Sequence, residues 1–497
     1  MAATLRSRCR PFAPTLAILL LAAIAPPIPG REPASDRPSN STGQHAAALI
    51  AKAWPARVAL EQLPIGVFDS GTGGLAVLEE ILKLDAFSNS THLSTSGGDR
   101  RPDFDHERFV FLADQANMPY GNYPACARTG LLRELALCDT AFLLSAQSFP
   151  RSPDWPTHDK PPVKAVVIAC NTATAYAKND LDNLVARARL PVRILGVIDA
   201  AAEGALQSLG PTGTIGVLAT QGTVASGAYP RAFHSVTRRR GLAGPIRVFQ
   251  QGSLGLAGAI DSAPELIAPG ATKPRPDYRG PSLDNPRARI DRRLLARYVF
   301  DFSAGHALYE GDPQHPTVLQ LNSVENYVAY DVVSLLESVR SQPDAPPLAV
   351  IVLGCTHFPY VADQIRGQIQ RLRDYQEEGR YVYRRQLAEN VALVDPARLV
   401  ARDLYRMLAT EDKLAQSPPG QARAQFYITV PRPEQAGVAV DSAGWFTYEY
   451  KYGRPSGYTA DDVRTVPLTT RRLDPPTADR LRQRAPTVWQ LIEAFSR

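Results

Sequence analysis

The sequence predicts an α/β fold: two pseudosymmetric, doubly wound parallel-sheet domains with the active site in the cleft between them. Short continuous apolar runs recur along the middle of the chain, which is typical of strands buried on both faces of a sheet. Helical stretches separate many of these runs, and that alternation favours parallel pairing. The pattern of an apolar run, a cysteine and small polar residues also occurs twice.

Eight apolar runs are predicted to be strands, because each is short, continuous and bounded by turn-forming or polar residues. They lie at residues 65–68, 109–112, 163–169, 192–198, 214–218, 246–249, 348–353 and 391–394. The clearest helical stretches between them are at residues 75–82, 129–148 and 361–373.

The order of these elements divides the folded part of the chain into two domains. The first is predicted over residues 61–190 and is completed by about 391–410. The second is predicted over 191–390, with an insertion at about 268–312 that is rich in Pro, Asp and Arg. Residues 411–497 are predicted to form a C-terminal extension.

Aromatic residues recur at every second position within the extension, from Phe446 to Tyr452. This period predicts a strand with one aromatic face. Such a strand would pack on the body as part of a hairpin or, alternatively, form a surface for a partner or a glycan.

The composition excludes several classes of protein. The chain has 497 residues, of which 44% are hydrophobic, so it is able to bury a sizeable core. The net charge of +6 arises from 55 basic and 49 acidic residues without a basic run, and we expect no nucleic-acid partner. The five cysteines include no CxxC pair, so we expect neither a disulfide scaffold nor a metal site. The 43 prolines exceed the usual share of about 5% and indicate long loops.

Residues 1–30 have the features of a secretory signal peptide or membrane anchor. Arginines precede an apolar stretch at 14–25 that is short for a membrane span, and Ala23-Ile24-Ala25 fits a cleavage site. Pro26 disfavours cleavage at that point, so processing would occur elsewhere or not at all. An uncleaved anchor and a wrongly chosen start codon are the alternatives. We expect export to the periplasm, with membrane contact only through this segment; a cytoplasmic location is the alternative. Residues 31–60 are predicted to be a linker.

Cysteines follow two of the predicted strands, in the segments Ala169-Cys170-Asn171-Thr172 and Gly354-Cys355-Thr356-His357. Ligands bind at the carboxyl ends of strands in open α/β sheets, and a helix N-terminus stabilises a thiolate. One such cysteine is commonly an inert core residue, but two in matching contexts favour a reactive pair. A thiolate and a thiol on opposite faces suit the removal and return of a weakly acidic C–H proton at a stereocentre. A redox disulfide is the alternative, disfavoured by the lack of a CxxC motif.

Five motifs occur in an order that resembles the glutamate racemase branch of the aspartate/glutamate racemase family. They lie at residues 65–74, 113–121, 169–175, 215–229 and 353–359. The resemblance implies an amino-acid substrate as the small-molecule partner and deprotonation at the α-carbon without a cofactor. Whether the protein forms a homodimer is left open.

The resemblance also implies roles for individual residues. Cys170 and Cys355 would be the acid/base thiols, each serving one enantiomer. Asp69 would poise Cys170 or accept from the substrate ammonium group, and His357 would tune Cys355 or take its proton. Asp69 could instead be only a helix cap, and His357 only a structural histidine. Substrate binding and the shape of the pocket are assigned to Ser70, Gly71, Pro119, Tyr120, Gly121, Asn171, Thr172, Thr223 and Thr356.

The sequence departs from the family pattern in its second domain and at its N-terminus. Family members carry an acidic residue after a Cys-Pro pair; here residues 250–261 lack that pair, and Asp261 is only an approximate counterpart. Aspartate is therefore an alternative substrate. The sequence is also compatible with a one-thiol decarboxylase or isomerase of the same superfamily, and with a non-catalytic binding protein on this fold. An exported enzyme would not supply D-glutamate to peptidoglycan precursors directly, and outside the cytoplasm Cys126 and Cys138 would be either disulfide-linked or thiols.

Overall fold

The computed structural model describes residues 50, 54, 59–146, 160–209, 212–242, 244–418, 423–456 and 461–497. The predicted signal segment and nearly all of the predicted linker therefore lie outside the described residues. Within these ranges, no helix is both long enough and apolar enough to cross a membrane.

Every apolar run that the sequence predicts to be a strand overlaps a strand of the structure, with bounds that differ by a few residues. The strands are β1 (Ile65–Asp69), β2 (Phe109–Ala113), β3 (Ala165–Ile168), β4 (Arg193–Gly196), β5 (Gly213–Thr220), β6 (Ile246–Ser253), β7 (Ala307–Asp312), β8 (His315–Leu321), β9 (Leu348–Gly354), β10 (Gln376–Glu377), β11 (Arg380–Tyr381), β12 (Leu387–Val394), β13 (Ala424–Pro431) and β14 (Val463–Pro467).

Helices connect most of these strands. They are α1 (Leu75–Leu82), α2 (Thr129–Leu144), α3 (Asn171–Arg187), α4 (Val197–Leu209), α5 (Gln221–Ala225), α6 (Ala228–Arg240), α7 (Leu256–Ile260), α8 (Leu295–Tyr298), α9 (Val324–Arg340), α10 (Ala362–Asp374), α11 (Pro396–Thr410), α12 (Tyr448–Gly453), α13 (Pro475–Arg484) and α14 (Pro486–Phe495).

Two sheets confirm the predicted α/β fold. In the part of the chain that the structure describes, the first sheet has the order β14-β13-β2-β1-β3-β4 and the second has the order β12-β9-β5-β6. All neighbouring pairs are parallel except β13 and β14. Apolar side chains cover both faces of the first sheet: Ile65 and Val67 contribute to one core cluster and Phe68 to another. We call the halves built on these sheets the first and second lobes.

Two strands near the predicted domain boundaries join a different sheet from the one that those boundaries imply. β4 pairs with β3 in the first sheet, although the second domain is predicted to begin at residue 191. β12 pairs with β9 in the second sheet, and the helix after it, α11, packs against α1 and α4. An apolar run predicts that a strand forms, but the sheet that it joins depends on tertiary packing.

The C-terminal extension completes the first sheet. β13 lies parallel to β2, with Phe426 opposite Phe111, and β14 pairs with β13 as the antiparallel edge strand. An edge strand of this kind is common on otherwise parallel sheets.

The alternating aromatic segment of the extension is a helix, and the predicted strand there is wrong. Thr447 caps α12 by accepting the N–H of Tyr450 at 3.3 Å. In a series of alternating residues, every second member lies four positions further along, and residues four apart share one face of a helix. The rings of Tyr448 and Tyr452 make such a pair, with centroids 4.6 Å apart.

Cys126 and Cys138, whose pairing the sequence leaves open, are thiols in the structure. The sulfur of Cys126 lies 3.6 Å from the hydroxyl of Tyr448 in α12.

Candidate active site

Asp69 is the last residue of β1, a central strand of the first sheet, and is fully buried. Its Oδ2 accepts the N–H of Gly74 at 2.8 Å, while Oδ1 has no hydrogen-bond partner within the described ranges. Burial raises the pKa of this carboxyl, and the charge of His357 and nearby backbone N–H groups oppose that rise. The carboxylate therefore has one oxygen available for a cationic ligand.

Cys170 follows β3 and is the N-cap residue of α3, as its position after a predicted strand implies. Its Sγ accepts the N–H of Ala173 at 3.4 Å, and the thiol donates to the hydroxyl of Ser70 at 3.8 Å. Only 6% of the residue is exposed. Burial raises the pKa of the Cys170 thiol strongly, and the charge of Asp69 raises it further. Cys170 is thus held as a thiol, the form that donates a proton.

Cys355 follows β9 in the second lobe, and it lies beside His357. The Nδ1 atom of His357 is 3.7 Å from Sγ of Cys355, and Nε2 is 2.9 Å from Oδ2 of Asp261. Burial lowers the pKa of His357, but the charge and hydrogen bond of Asp261, together with Cys355, outweigh burial and raise it well above its usual value. A protonated His357 ring is therefore a cationic neighbour of the Cys355 sulfur.

The two lobes meet at these residues. A charge on Cys355 is the smallest of the named contributions to the rise in the pKa of Cys170. The hydroxyl of Thr356 lies 3.5 Å from Oδ2 of Asp69 across the boundary between the lobes. Gly73 allows this approach, since a Cβ at that position would overlap the His357 ring and lie 2.8 Å from Oγ1 of Thr356.

Three threonine hydroxyls form a second polar contact between the lobes. Thr172 in α3 lies 3.0 Å from both Thr220 and Thr223, which are also 3.0 Å from each other. The neighbouring Asn171 uses its carbonyl oxygen to accept from the hydroxyl of Tyr229 at 2.7 Å. Its amide nitrogen remains the donor end of the side chain.

The segment from Pro119 to Gly121 lines the edge of this contact. The hydroxyl of Tyr120 is already shared between Asp114 at 2.5 Å and Asp139 at 2.8 Å. Gly121 packs against Thr220, where a Cβ would come within 2.8 Å of the threonine Cβ. Gly71 makes a similarly close approach to Met118. Tyr120 and these glycines therefore shape the wall, and the Tyr120 hydroxyl is directed into the first lobe.

Comparison with known proteins is decisive at the level of family. No protein-family model matches the chain. It is 34% identical to a glutamate racemase of Thermus thermophilus over 382 residues, which cover 77% of this chain and 92% of that protein. It is also 34% identical to a glutamate racemase of Latilactobacillus sakei over 364 residues, covering 73% of this chain and 85% of that protein. The chain belongs to the glutamate racemase family.

Membership of the glutamate racemase family makes this protein an isomerase, an amino-acid racemase. A solved structure of the glutamate racemase isoform RacE1 from Bacillus anthracis is 19% identical and covers 74% of this chain and 87% of that one, with a TM-score of 0.42.

Sequence reasoning missed three polar residues at the site of this racemase. Thr220 completes the threonine cluster, and its position at the end of β5 was the available signal. Gln115 accepts the N–H of Thr72 at 3.2 Å. Arg480, far along the chain in α13, donates to Oδ1 of Asp261 at 2.6 Å. Asp261, assigned from sequence only as an approximate counterpart of the family's acid, lies against His357.

Proposed function

We propose that this racemase interconverts L- and D-glutamate without a cofactor, using Cys170 and Cys355 as the two acid/base groups. The observation that carries the proposal is the placement of two buried cysteines at the carboxyl ends of β3 and β9, one in each lobe. Reactive groups in parallel α/β sheets gather at these strand ends. Two thiols carried by separate sheets are suited to contact opposite faces of a substrate that is bound between them.

The proposed proton transfers balance without another reactant. In one direction the Cys355 thiolate removes the α-proton, and the Cys170 thiol gives its proton to the opposite face of the carbanion. Cys355 ends as a thiol and Cys170 as a thiolate, which is the state from which the reverse reaction starts. The imidazolium of His357 supports the thiolate at Cys355, whereas Asp69 and burial favour the thiol at Cys170.

The polar groups around the thiols supply anchors for an acidic amino acid. The free Oδ1 of Asp69 suits the α-ammonium group, which is the only cationic group of glutamate. The amide of Asn171 and the hydroxyls of Thr172, Thr223 and Thr356 suit its carboxylates. Glutamate is the substrate that the curated relatives carry in their names, and it is therefore our first choice over aspartate.

Chiral chromatography of the purified full-length protein, incubated with either enantiomer and without pyridoxal phosphate, tests this proposal. We expect L- and D-glutamate to reach a 1:1 mixture from both sides, with solvent deuterium entering the α-position. Aspartate serves as the matched comparison substrate. Faster turnover of aspartate would reassign the substrate, and the absence of α-proton exchange with any amino acid would contradict the mechanism.

A further inference from the structure

Arg480 joins the C-terminal extension to the pair formed by Asp261 and His357. Its guanidinium donates to Oδ1 of Asp261 at 2.6 Å and to the carbonyl of Ile260 at 2.9 Å. The side chains of Arg480 and Asp261 are only 13% and 11% exposed, so solvent screens the ion pair weakly. Asp261 consequently has a cationic partner at each oxygen: Arg480 at Oδ1 and His357 at Oδ2.

The geometry of the guanidinium fixes both the backbone and the side chain of this segment. Arginine presents its N–H groups in a rigid planar fork, unlike the single point charge of lysine. Because Arg480 binds the carbonyl of Ile260 and the carboxylate of the next residue, it restricts rotation of the Asp261 side chain. The other carboxylate oxygen then stays directed at Nε2 of His357.

The helix that follows the one carrying Arg480 is anchored to the first lobe. Glu79 in α1 is 2% exposed and accepts the N–H groups of Thr487 at 3.3 Å and Val488 at 2.8 Å, at the start of α14. α13 directly precedes α14 and packs against it. Arg480, on a helix that packs against the anchored α14, therefore holds Asp261. Asp261 in turn faces the segment of the second lobe that carries Cys355.

We propose that Arg480 is a positioning residue for proton transfer at Cys355, acting by orienting the Asp261 carboxylate towards His357. The inference rests on the proposed racemase mechanism and adds to it a residue outside the five sequence motifs. Arg480 acts through Asp261 and His357 and does not itself contact the thiol.

The charged groups around Asp261 and His357 determine how removal of Arg480 changes the pKa of Asp261. Burial raises the pKa of Asp261, but His357 and then Arg480 lower it, and the net shift is downward. Cys355 and Asp69 face His357, and Tyr360 faces Arg480 and Asp261. Without the guanidinium, the pKa of Asp261 rises, and the carboxylate accepts a proton at a higher pH than in the wild type.

Histidine ring ¹⁵N NMR tests this relationship independently of turnover. The signal of His357 is assigned by its loss in His357→Gln. The change in its chemical shift that accompanies protonation of Asp261 at acid pH is then followed in the full-length protein. In Arg480→Ala we expect that shift to occur at higher pH, with an intermediate position in Arg480→Lys, which keeps the charge but not the fork. Arg482→Ala is the matched control, since Arg482 lies on the same helix and contacts Asp479 and Trp489 instead.

Kinetics supply the second readout. We expect kcat of Arg480→Ala to fall by up to about 100-fold, the size of effect expected when a reacting group is misplaced by a mutation outside the chemistry. In Arg480→Ala, the kinetic isotope effect of α-deuterium should increase when the substrate is the enantiomer that Cys355 deprotonates and stay the same with the other enantiomer. In Arg482→Ala, it should be unchanged with both enantiomers. The Asp261→Asn background should remove the effect of Arg480→Ala, because Arg480 acts through that carboxylate.

Unchanged His357 titrations in both Arg480 variants would overturn the proposal, and so would equal changes in Arg482→Ala. If the wild type exchanges no α-proton, the proposed function fails instead. The NMR titration still decides whether Arg480 controls Asp261 in that case, so the two failures are distinguishable.

Discussion

His357 and Asp261 are joined through Nε2 and Oδ2 at 2.9 Å, with side-chain exposures of 4% and 11%. The contact links a residue of the second cysteine motif to one that lies outside every motif. It gives Cys355 a cationic neighbour, whereas Cys170 has the anionic Asp69 near it. The two thiols are therefore chemically unequal before substrate binds. Three predictions probe this inequality and its surroundings, and a fourth concerns the stability of the first lobe.

Removing either thiol should abolish racemisation but leave one half of the chemistry. We expect Cys170→Ala and Cys355→Ala each to exchange the α-proton of one glutamate enantiomer, the opposite one in each variant, without inverting it. A single remaining thiol abstracts and returns the proton on the same face. NMR detection of α-deuterium in each enantiomer checks this outcome. Full racemisation by either variant would support a one-thiol mechanism.

Asp261→Asn should reduce kcat by about 100-fold, within the range that positioned acid–base groups contribute. The sign of its pH effect follows from the charge: without the carboxylate, the pKa of His357 falls, and the imidazolium loses its proton at lower pH. Since the imidazolium supports the Cys355 thiolate, the pH above which activity is lost should be lower in Asp261→Asn than in the wild type. A pH–rate profile measures this limit. Asp363→Asn, on the exposed surface of α10, is the control and should match the wild type.

Gly73→Ala should disturb the site more than the fold. The added Cβ would lie 2.8 Å from both Nδ1 of His357 and Oγ1 of Thr356, so the imidazole must change its position beside Cys355. We expect a loss of kcat together with a change in the histidine ring signal. Gly367→Ala is the contrasting variant, because nothing lies within 4 Å of its new Cβ and it sits inside α10. It should keep full activity and gain about 1 kcal/mol of unfolding free energy.

Lys160 provides a test of stability against pH. It is buried, donates to the carbonyls of Leu143 at 3.1 Å and Ser145 at 2.6 Å, and burial lowers its pKa to about 7 from a usual 10.5. Between these pH values the unfolded chain binds a proton that the folded protein does not, so this residue makes stability rise with pH. From pH 7 to 9, the unfolding free energy of the wild type should rise by about 2 kcal/mol relative to Lys160→Met.

Urea unfolding at each pH measures that difference. Lys178→Met is the control, because Lys178 is paired with Asp182 on the surface of α3. Parallel stability profiles for the wild type and Lys160→Met would show that Lys160 titrates as an exposed lysine does.

Local patterns were sufficient for much of the fold. Apolar runs such as those around Val67 and Val350 predict buried strands, because a strand enclosed on both faces needs a continuous apolar sequence. The position of Cys170 and Cys355 directly after such runs also predicts that both lie at strand ends. The alternating aromatics after Phe446 misled, because members of such a series that are four residues apart, such as Tyr448 and Tyr452, also share one face of a helix. The Thr447 cap favours the helix.

The sequence by itself determined which segments become strands and where the two cysteines stand on them, since both depend on neighbouring residues. The tertiary structure alone decided the environment of each thiol. Asp261 and Arg480 are 219 positions apart, and α13, which carries Arg480, packs against α14, whose start is held by Glu79 of the first lobe. Periodicity carries no information about such a contact, because the charge that each side chain meets is set by packing between lobes that close on each other only in the folded chain.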